Sequence, residues 1–177
     1  MQNVEYKAEL RDLEAARAQA RVLGGTRIRS MRQVDTYFRL MDGRLKRRET
    51  DGEPIEWIFY HRPDKTKSAI SNYTILSDEQ AKHRWGTQTL REWLTVTKTR
   101  ELWMIDNVRI HLDDVDELGT YLEFEAVVSD EHDVDECFAM VAELQEMFQP
   151  ILGEPISSGY SDLLRQHRAI EQADEPS

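Results

Sequence analysis

Charged side chains recur at every second position in several short segments of this 177-residue chain. Arg44, Lys46 and Arg48 alternate in one segment, and Glu123 and Glu125 alternate in another. Because successive side chains of a β-strand point to opposite faces, each set lies on one face of its strand. Guanidinium and ammonium groups bind phosphate oxygens, and carboxylates are the ligands that Mg²⁺ and Mn²⁺ prefer. The residue types and their spacing therefore predict a site for phosphate and a divalent cation.

If the charged faces of separate strands meet in one cavity, that cavity carries an excess of four positive charges. Its predicted members are eight cations and four carboxylates: Lys7, Arg44, Lys46, Arg48, Arg62, Lys98, Arg100 and Arg109, with Glu5, Glu9, Glu123 and Glu125. Burying so many like charges is costly unless a polyanion neutralises them. The expected ligand is a highly charged phosphate chain with a divalent metal.

Short segments with two-residue periodicity must position these side chains. The predicted strands cover residues 3–10, 33–40, 44–49, 55–62, 68–76, 93–103, 108–112 and 121–128. Helical spacing predicts helices over 12–23, 78–90 and 134–148, and one or two helical turns over 160–168. Many short antiparallel strands separated by turn signals favour a barrel or a sandwich with helices packed outside.

The chain length predicts one domain over residues 1–170, and polar composition predicts a disordered tail over 171–177. The net charge of −11 argues against a general nucleic-acid binder. No segment has the roughly 20 apolar residues of a membrane helix, and no secretory signal is expected, because strand-like alternation begins at once. Cys137 is the only cysteine, which agrees with a reducing compartment. We therefore expect a cytoplasmic protein.

Six blocks of this sequence, in their order and spacing, resemble the CYTH superfamily, which contains class IV adenylate cyclases, thiamine triphosphatases and inorganic triphosphatases. The blocks are residues 3–7 (NVEYK), 33–38 (QVDTYF), 43–49 (GRLKRRE), 60–64 (YHRPD), 96–100 (VTKTR) and 109–125. The resemblance implies an α+β fold with a closed eight-stranded antiparallel β-barrel, a tunnel open to a triphosphate, and dependence on Mg²⁺ or Mn²⁺. In the family signature Glu-x-Glu-x-Lys, Asn3 stands where this family has its first Glu, while Glu5 and Lys7 match.

The charged faces and the resemblance together assign roles to eleven residues. We expect Glu5, Glu123 and Glu125 to hold the metal, and Lys7 or Tyr37 to orient or deprotonate the attacking water. The residues expected to bind the phosphate chain are Lys46, Arg48, Arg62, Lys98, Arg100 and Arg109.

The leading functional hypothesis is metal-dependent hydrolysis of inorganic triphosphate, thiamine triphosphate or a nucleoside triphosphate. Two alternatives stay open: a class IV adenylate cyclase that converts ATP to cyclic AMP and pyrophosphate, and a non-catalytic module that binds polyphosphate or a nucleotide. The expected partner is a small-molecule triphosphate, with no nucleic acid and no membrane, and the expected state is a monomer or a homodimer.

Overall fold

The computed structural model describes residues 1–41, 43–61 and 69–174. This part of the chain contains nine strands: β1 Gln2–Leu10, β2 Thr26–Arg39, β3 Arg44–Thr50, β4 Glu56–His61, β5 Ala69–Ser77, β6 Glu92–Ile105, β7 Val108–Val115, β8 Gly119–Val127 and β9 Leu152–Pro155. It also contains four α-helices: α1 Leu13–Val22, α2 Asp78–Trp85, α3 Val134–Phe148 and α4 Tyr160–Asp174.

Eight of the strands form a closed antiparallel barrel in the order β5-β4-β3-β2-β6-β7-β8-β1. Pairing of β1 with β5, in which Val4 lies opposite Ile70, closes the barrel. The short β9 pairs with the last part of β1 and adds a ninth strand outside the closed ring. The predicted eight-stranded antiparallel barrel with external helices is confirmed.

The main apolar core lies between the barrel wall and the helices α1 and α3. Alternation along β1 directs Val4 and Ala8 into this core, where both are fully buried. Phe124 of β8 stacks against Tyr6 on one side and contacts Phe148 of α3 on the other. Because the apolar faces pack outward against helices, the opposite faces of the same strands line the interior of the barrel.

Capping residues fix where the outer helices begin. Asp12 accepts a hydrogen bond of 2.9 Å from the backbone N–H of Ala15, and Asp133 forms a reciprocal capping box with Glu136 at the start of α3. Ser77, rather than the expected Asp78, caps α2. That helix ends at Trp85 instead of near residue 90, because Gly86 adopts a left-handed conformation with φ of 56°.

Three other elements differ from the sequence-based expectations. Strand β2 begins at Thr26, seven residues before the expected start, and its added half is largely exposed, so it lacks an apolar alternation. Strand β9 was not predicted, since four residues carry too little pattern. Helix α4 continues to Asp174, beyond the one or two turns expected over 160–168, and Glu171 pairs with His167 one turn earlier. Among the described residues, no helix has the length and apolarity to span a membrane.

Candidate functional site: a charged tunnel through the barrel

The barrel encloses a cavity of about 380 Å³ whose described lining is dominated by ionisable side chains. Seven cations and six carboxylates line it: Lys7, Arg29, Lys46, Arg48, Lys98, Arg100 and Arg109, with Glu5, Asp35, Glu53, Glu56, Glu123 and Glu125. The expected excess of four positive charges is therefore wrong for the described lining, which carries an excess of one. The tunnel contains its own counter-charges, because Asp35, Glu53 and Glu56 line it in addition to the predicted carboxylates.

The structure brings together ten of the eleven residues assigned to the site. These are Glu5, Lys7, Tyr37, Lys46, Arg48, Lys98, Arg100, Arg109, Glu123 and Glu125. The eleventh, Arg62, lies outside the described residues.

Two further members of the predicted cavity lie elsewhere. Glu9 is exposed, and its carboxylate accepts a hydrogen bond of 3.4 Å from the backbone N–H of Glu154, because β1 extends past the rim of the tunnel. Arg44, the first residue of β3, pairs with Asp162 of α4 at 2.6 Å.

Asp35 of β2 joins three of the predicted phosphate-binding cations. Arg48 donates two hydrogen bonds of 2.7 Å to its carboxylate, Lys98 donates one of 2.9 Å, and the Lys46 ammonium lies 3.4 Å away. Burial alone would raise the pKa of Asp35, but these three cations hold it well below its usual range. Asp35 is therefore ionised, and it neutralises part of the basic wall.

The two lysines of this cluster have unusually low pKa values. Burial lowers the pKa of Lys98 to about 7 and that of Lys46 to about 8, with the neighbouring Arg48 adding to both effects. Ammonium groups buried this deeply gain from any additional negative charge in the tunnel.

A second cluster links β6, β7 and α4. Arg100 donates two hydrogen bonds of 2.7 Å to Asp113, and the Tyr160 hydroxyl donates one of 2.6 Å to the same carboxylate. Burial would raise the pKa of Asp113, yet Arg100 lowers it to about 2. The Tyr160 ring also lies 4.2 Å from the Lys7 ammonium, so the first residue of α4 contacts the tunnel. The sequence analysis missed Tyr160, because it searched for alternating charged residues on strands. Tyr160 is on a helix, and its side chain enters the tunnel from outside the barrel.

The three expected metal ligands lie on β1 and β8. Glu5 is directly opposite Glu125, and Lys7 is directly opposite Glu123. Lys7 and Glu123 form an ion pair of 3.0 Å, while Arg109 lies 3.4 Å from Glu125. Burial raises the pKa of Glu125, and the neighbouring Glu123 raises it further.

His111 lies between the two carboxylates of β8. Its ring nitrogens are 3.9 Å from Glu123 and 3.7 Å from Glu125. Burial, together with the nearby Arg100, lowers the pKa of His111 to about 3, so the imidazole is neutral at pH 7. It adds no positive charge beside these carboxylates.

A divalent cation fits the donor types at this position. Hard carboxylate oxygens on adjacent strands suit Mg²⁺ or Mn²⁺, and the raised pKa of Glu125 reflects crowding that a cation would relieve. The side chains of Glu123 and Glu125 are nevertheless turned towards Lys7 and Arg109. Over residues 1–41, 43–61 and 69–174, no three His, Cys, Asp or Glu side chains are arranged to hold a metal ion.

Asn3 contributes a neutral amide to this carboxylate cluster. Its side chain is fully buried, and its Nδ2 donates hydrogen bonds to Glu125 Oε1 and, at 3.2 Å, to the Tyr73 hydroxyl. The amide therefore positions the Glu125 carboxylate by donating a hydrogen bond to it. Unlike a glutamate at this position, it adds no negative charge.

Tyr37 lies in the tunnel, but its chemistry limits its role. Burial raises the pKa of the phenol well above its usual value, and the nearby Tyr60 and Asp35 raise it further. The hydroxyl keeps its proton near neutral pH. It is suited to orienting a water molecule by hydrogen bonding, and the expectation that it deprotonates one is not supported.

Comparisons with known proteins agree with this architecture. The CYTH domain family matches residues 1–156. The Methanocaldococcus jannaschii protein named "Putative adenylate cyclase MJ0240" is 26% identical over 174 residues, covering 92% of this chain and 98% of that protein.

Solved structures of other proteins share the fold, among them PH1012 and HpAC1. PH1012 from Pyrococcus horikoshii OT3 is 19% identical with a TM-score of 0.73, and the match covers 91% of this chain and 98% of that one. HpAC1 from Hippeastrum, described as a "putative adenylyl cyclase" with a dominant triphosphatase activity, is 13% identical with a TM-score of 0.58, covering 89% and 91%.

Proposed function

The chain belongs to the CYTH family, and from that premise we propose that it hydrolyses a triphosphate substrate with the help of Mg²⁺ or Mn²⁺. The single observation that carries the proposal is the convergence of Lys46, Arg48, Lys98 and Arg100 on one cavity of about 380 Å³. A cavity of this size is typical of small-molecule sites. Buried cations at this density suit a compact polyanion better than any neutral ligand.

The guanidinium groups of the tunnel are oriented by their carboxylate partners. Asp35 engages Nε and Nη2 of Arg48, and Asp113 engages the same two nitrogens of Arg100. We assign Nη1 of each arginine to the phosphate oxygens. Lys46 and Lys98 supply point charges beside them, and Arg109 extends the set towards Glu125.

Glu5, Glu123 and Glu125 would hold the divalent cation. Such a cation would supply Lewis-acid stabilisation of the negative charge that develops during phosphoryl transfer. The Lys7 ammonium, which pairs with Glu123 at 3.0 Å, would contact the transferred phosphate. Tyr37 would orient the attacking water through its hydroxyl.

Cyclisation of ATP is the second candidate, and the name of the M. jannaschii relative favours it. It would use the same phosphate site but a different nucleophile, the ribose 3′-hydroxyl. The third candidate, a non-catalytic module that binds polyphosphate or a nucleotide, is favoured by the neutral Asn3 and by the pairing of Glu123 and Glu125 with protein cations. A cytoplasmic location and a monomeric or homodimeric state belong to the proposal as well.

A product assay separates these candidates. The protein is incubated with Mg²⁺ or Mn²⁺ and with tripolyphosphate, thiamine triphosphate or ATP, and phosphate, pyrophosphate and cyclic AMP are quantified. Release of phosphate that requires the metal supports hydrolysis. Cyclic AMP as the main product from ATP would overturn it, and calorimetric binding of every triphosphate without turnover would support the non-catalytic module.

A further inference from the structure

A second cavity, of about 410 Å³, lies where β2, β3 and β6 meet α4. Tyr37 lines both this cavity and the tunnel, so the two adjoin. Arg39, Arg44, Trp93 and Arg165 contribute to its wall. The proposed hydrolysis assigns no role to this space.

The basic face of β3 continues from the tunnel into the second cavity. Arg48 and Lys46 line the tunnel, and Arg44, two residues before Lys46 on the same face, lines the second cavity. Arg48 is four residue steps from Arg44 along the extended strand, a distance of about 13 Å between their Cα atoms. On β2, Tyr37 and Arg39 lie opposite Lys46 and Arg44. A triphosphate is shorter than this track.

The second cavity is positively charged in a protein that is acidic overall. Three guanidinium groups (Arg39, Arg44 and Arg165) and one carboxylate (Asp162) line it, an excess of two positive charges, whereas the whole chain carries −11. Such a local concentration of arginine suits phosphate oxygens, which guanidinium groups bind through paired hydrogen bonds.

Two of these guanidinium groups are held in place by neighbours. The Arg39 guanidinium lies 4.3 Å from the centre of the Trp93 ring, and Arg44 pairs with Asp162 at 2.6 Å. Because Arg39 covers that face of Trp93, the indole positions a cation there and does not offer that face for stacking with a nucleobase. The arrangement favours an anionic occupant over an aromatic one.

We propose that the second cavity binds the phosphate groups beyond the third in an inorganic polyphosphate chain. This inference rests on the proposed function, in which the tunnel holds a triphosphate unit. Lys46 and Tyr37 then mark the boundary between the unit in the tunnel and the extension towards Arg44, Arg39 and Arg165.

Binding of polyphosphates of different length tests the proposal. The dissociation constants of tripolyphosphate and of a longer inorganic polyphosphate are measured by calorimetry at one ionic strength, and their ratio is the readout. We expect the longer chain to bind more tightly. Arg165→Gln should reduce the affinity advantage of the longer chain by only about threefold, because Arg165 is exposed and solvent screens its charge. The double variant Arg39→Gln/Arg165→Gln should reduce that advantage by about tenfold. The matched control is Arg168→Gln, on the same helix, whose side chain pairs with Glu117 at 2.8 Å and should leave the ratio unchanged.

Two results would overturn the proposal: equal affinity for both chain lengths, or an unchanged ratio in the double variant. Failure of the proposed function has a separate signature, which is absence of metal-dependent phosphate release from tripolyphosphate by the unsubstituted protein, whatever the affinity ratio.

Discussion

Lys98 and Asp35 form an ion pair of 2.9 Å in which each side chain is only 1% exposed. Arg48 and Lys46 share the same carboxylate. One acidic residue therefore offsets part of the charge of three cations that face the tunnel. This arrangement lets the basic wall fold without a ligand, and it leaves that wall under-neutralised until a polyanion binds.

Replacing Asp35 should destabilise the folded protein. Asp35→Asn keeps the shape of the side chain but removes the counter-charge of three buried cations, so we expect the free energy of unfolding to fall by about 3–5 kcal/mol. Urea denaturation measures the loss. Tripolyphosphate at a saturating concentration should restore part of it, because the ligand supplies the missing negative charge.

Asp114→Asn is the matched control for this substitution. Asp114 lies on β7 next to the buried Asp113, but it is exposed. Its replacement should change stability by less than about 0.5 kcal/mol. Similar losses in the two variants would contradict the special role of Asp35.

The low pKa values of Lys98 and Lys46 predict proton uptake on ligand binding. At pH 8 the free protein holds Lys98 mostly neutral and Lys46 about half protonated, given pKa values of about 7 and 8. A polyanion raises both pKa values towards the usual 10.5, so binding takes up protons and weakens as the pH rises from about 7 to 10. Binding enthalpies measured at pH 8 in buffers with different ionisation enthalpies give the number of protons. Lys98→Met should lower the uptake, and net proton release by the unsubstituted protein would count against this account.

Glu5 and Glu9 offer a matched test of the metal site. Both lie on β1 and on the same face by alternation, but only Glu5 lines the tunnel. Glu5→Gln should weaken Mn²⁺ binding, followed by electron paramagnetic resonance, by about tenfold or more, because a charged oxygen ligand is lost. Glu9→Gln should leave Mn²⁺ affinity unchanged. Equal losses of Mn²⁺ affinity in the two variants would show that Glu5 is not a metal ligand.

Asn3 is predicted to limit metal affinity. Asn3→Asp keeps the side-chain shape, replaces the amide that donates to Glu125, and adds a buried negative charge. We expect Mn²⁺ affinity to rise by about tenfold, and stability without metal to fall, because two carboxylates then repel each other. Thermal unfolding with and without Mn²⁺ measures both effects. A variant with unchanged metal affinity would show that Asn3 is remote from the cation.

Much of the tunnel could be predicted from the sequence, because strand alternation is a local property. Lys46 and Arg48 share one face of β3, and the fully buried Leu45 lies on the other face. The resemblance of six sequence blocks to the CYTH superfamily predicted the barrel that encloses the charged face. Alternation does not say where a strand leaves the barrel, which is why Glu9 was placed inside.

The counter-charges could not be predicted in the same way. Whether Asp35 meets Arg48 and Lys98 depends on the register between β2, β3 and β6, which sequence periodicity alone does not fix. Tyr160 reaches Asp113 from a helix that is 47 residues later in the chain. Such contacts decide how much of the positive charge in the tunnel is already neutralised.

Lys46 and Arg47 are adjacent on β3 and face opposite sides of the barrel wall, with Lys46 in the tunnel and Arg47 paired with Glu49 at 3.5 Å. The most direct measurement of the central claim is therefore tripolyphosphate affinity, by calorimetry with Mg²⁺, in Lys46→Gln and Arg47→Gln. We predict a loss of about tenfold or more for Lys46→Gln and no change for Arg47→Gln. Equal losses, or a larger loss for Arg47→Gln, would contradict the claim that the phosphate chain binds inside the barrel.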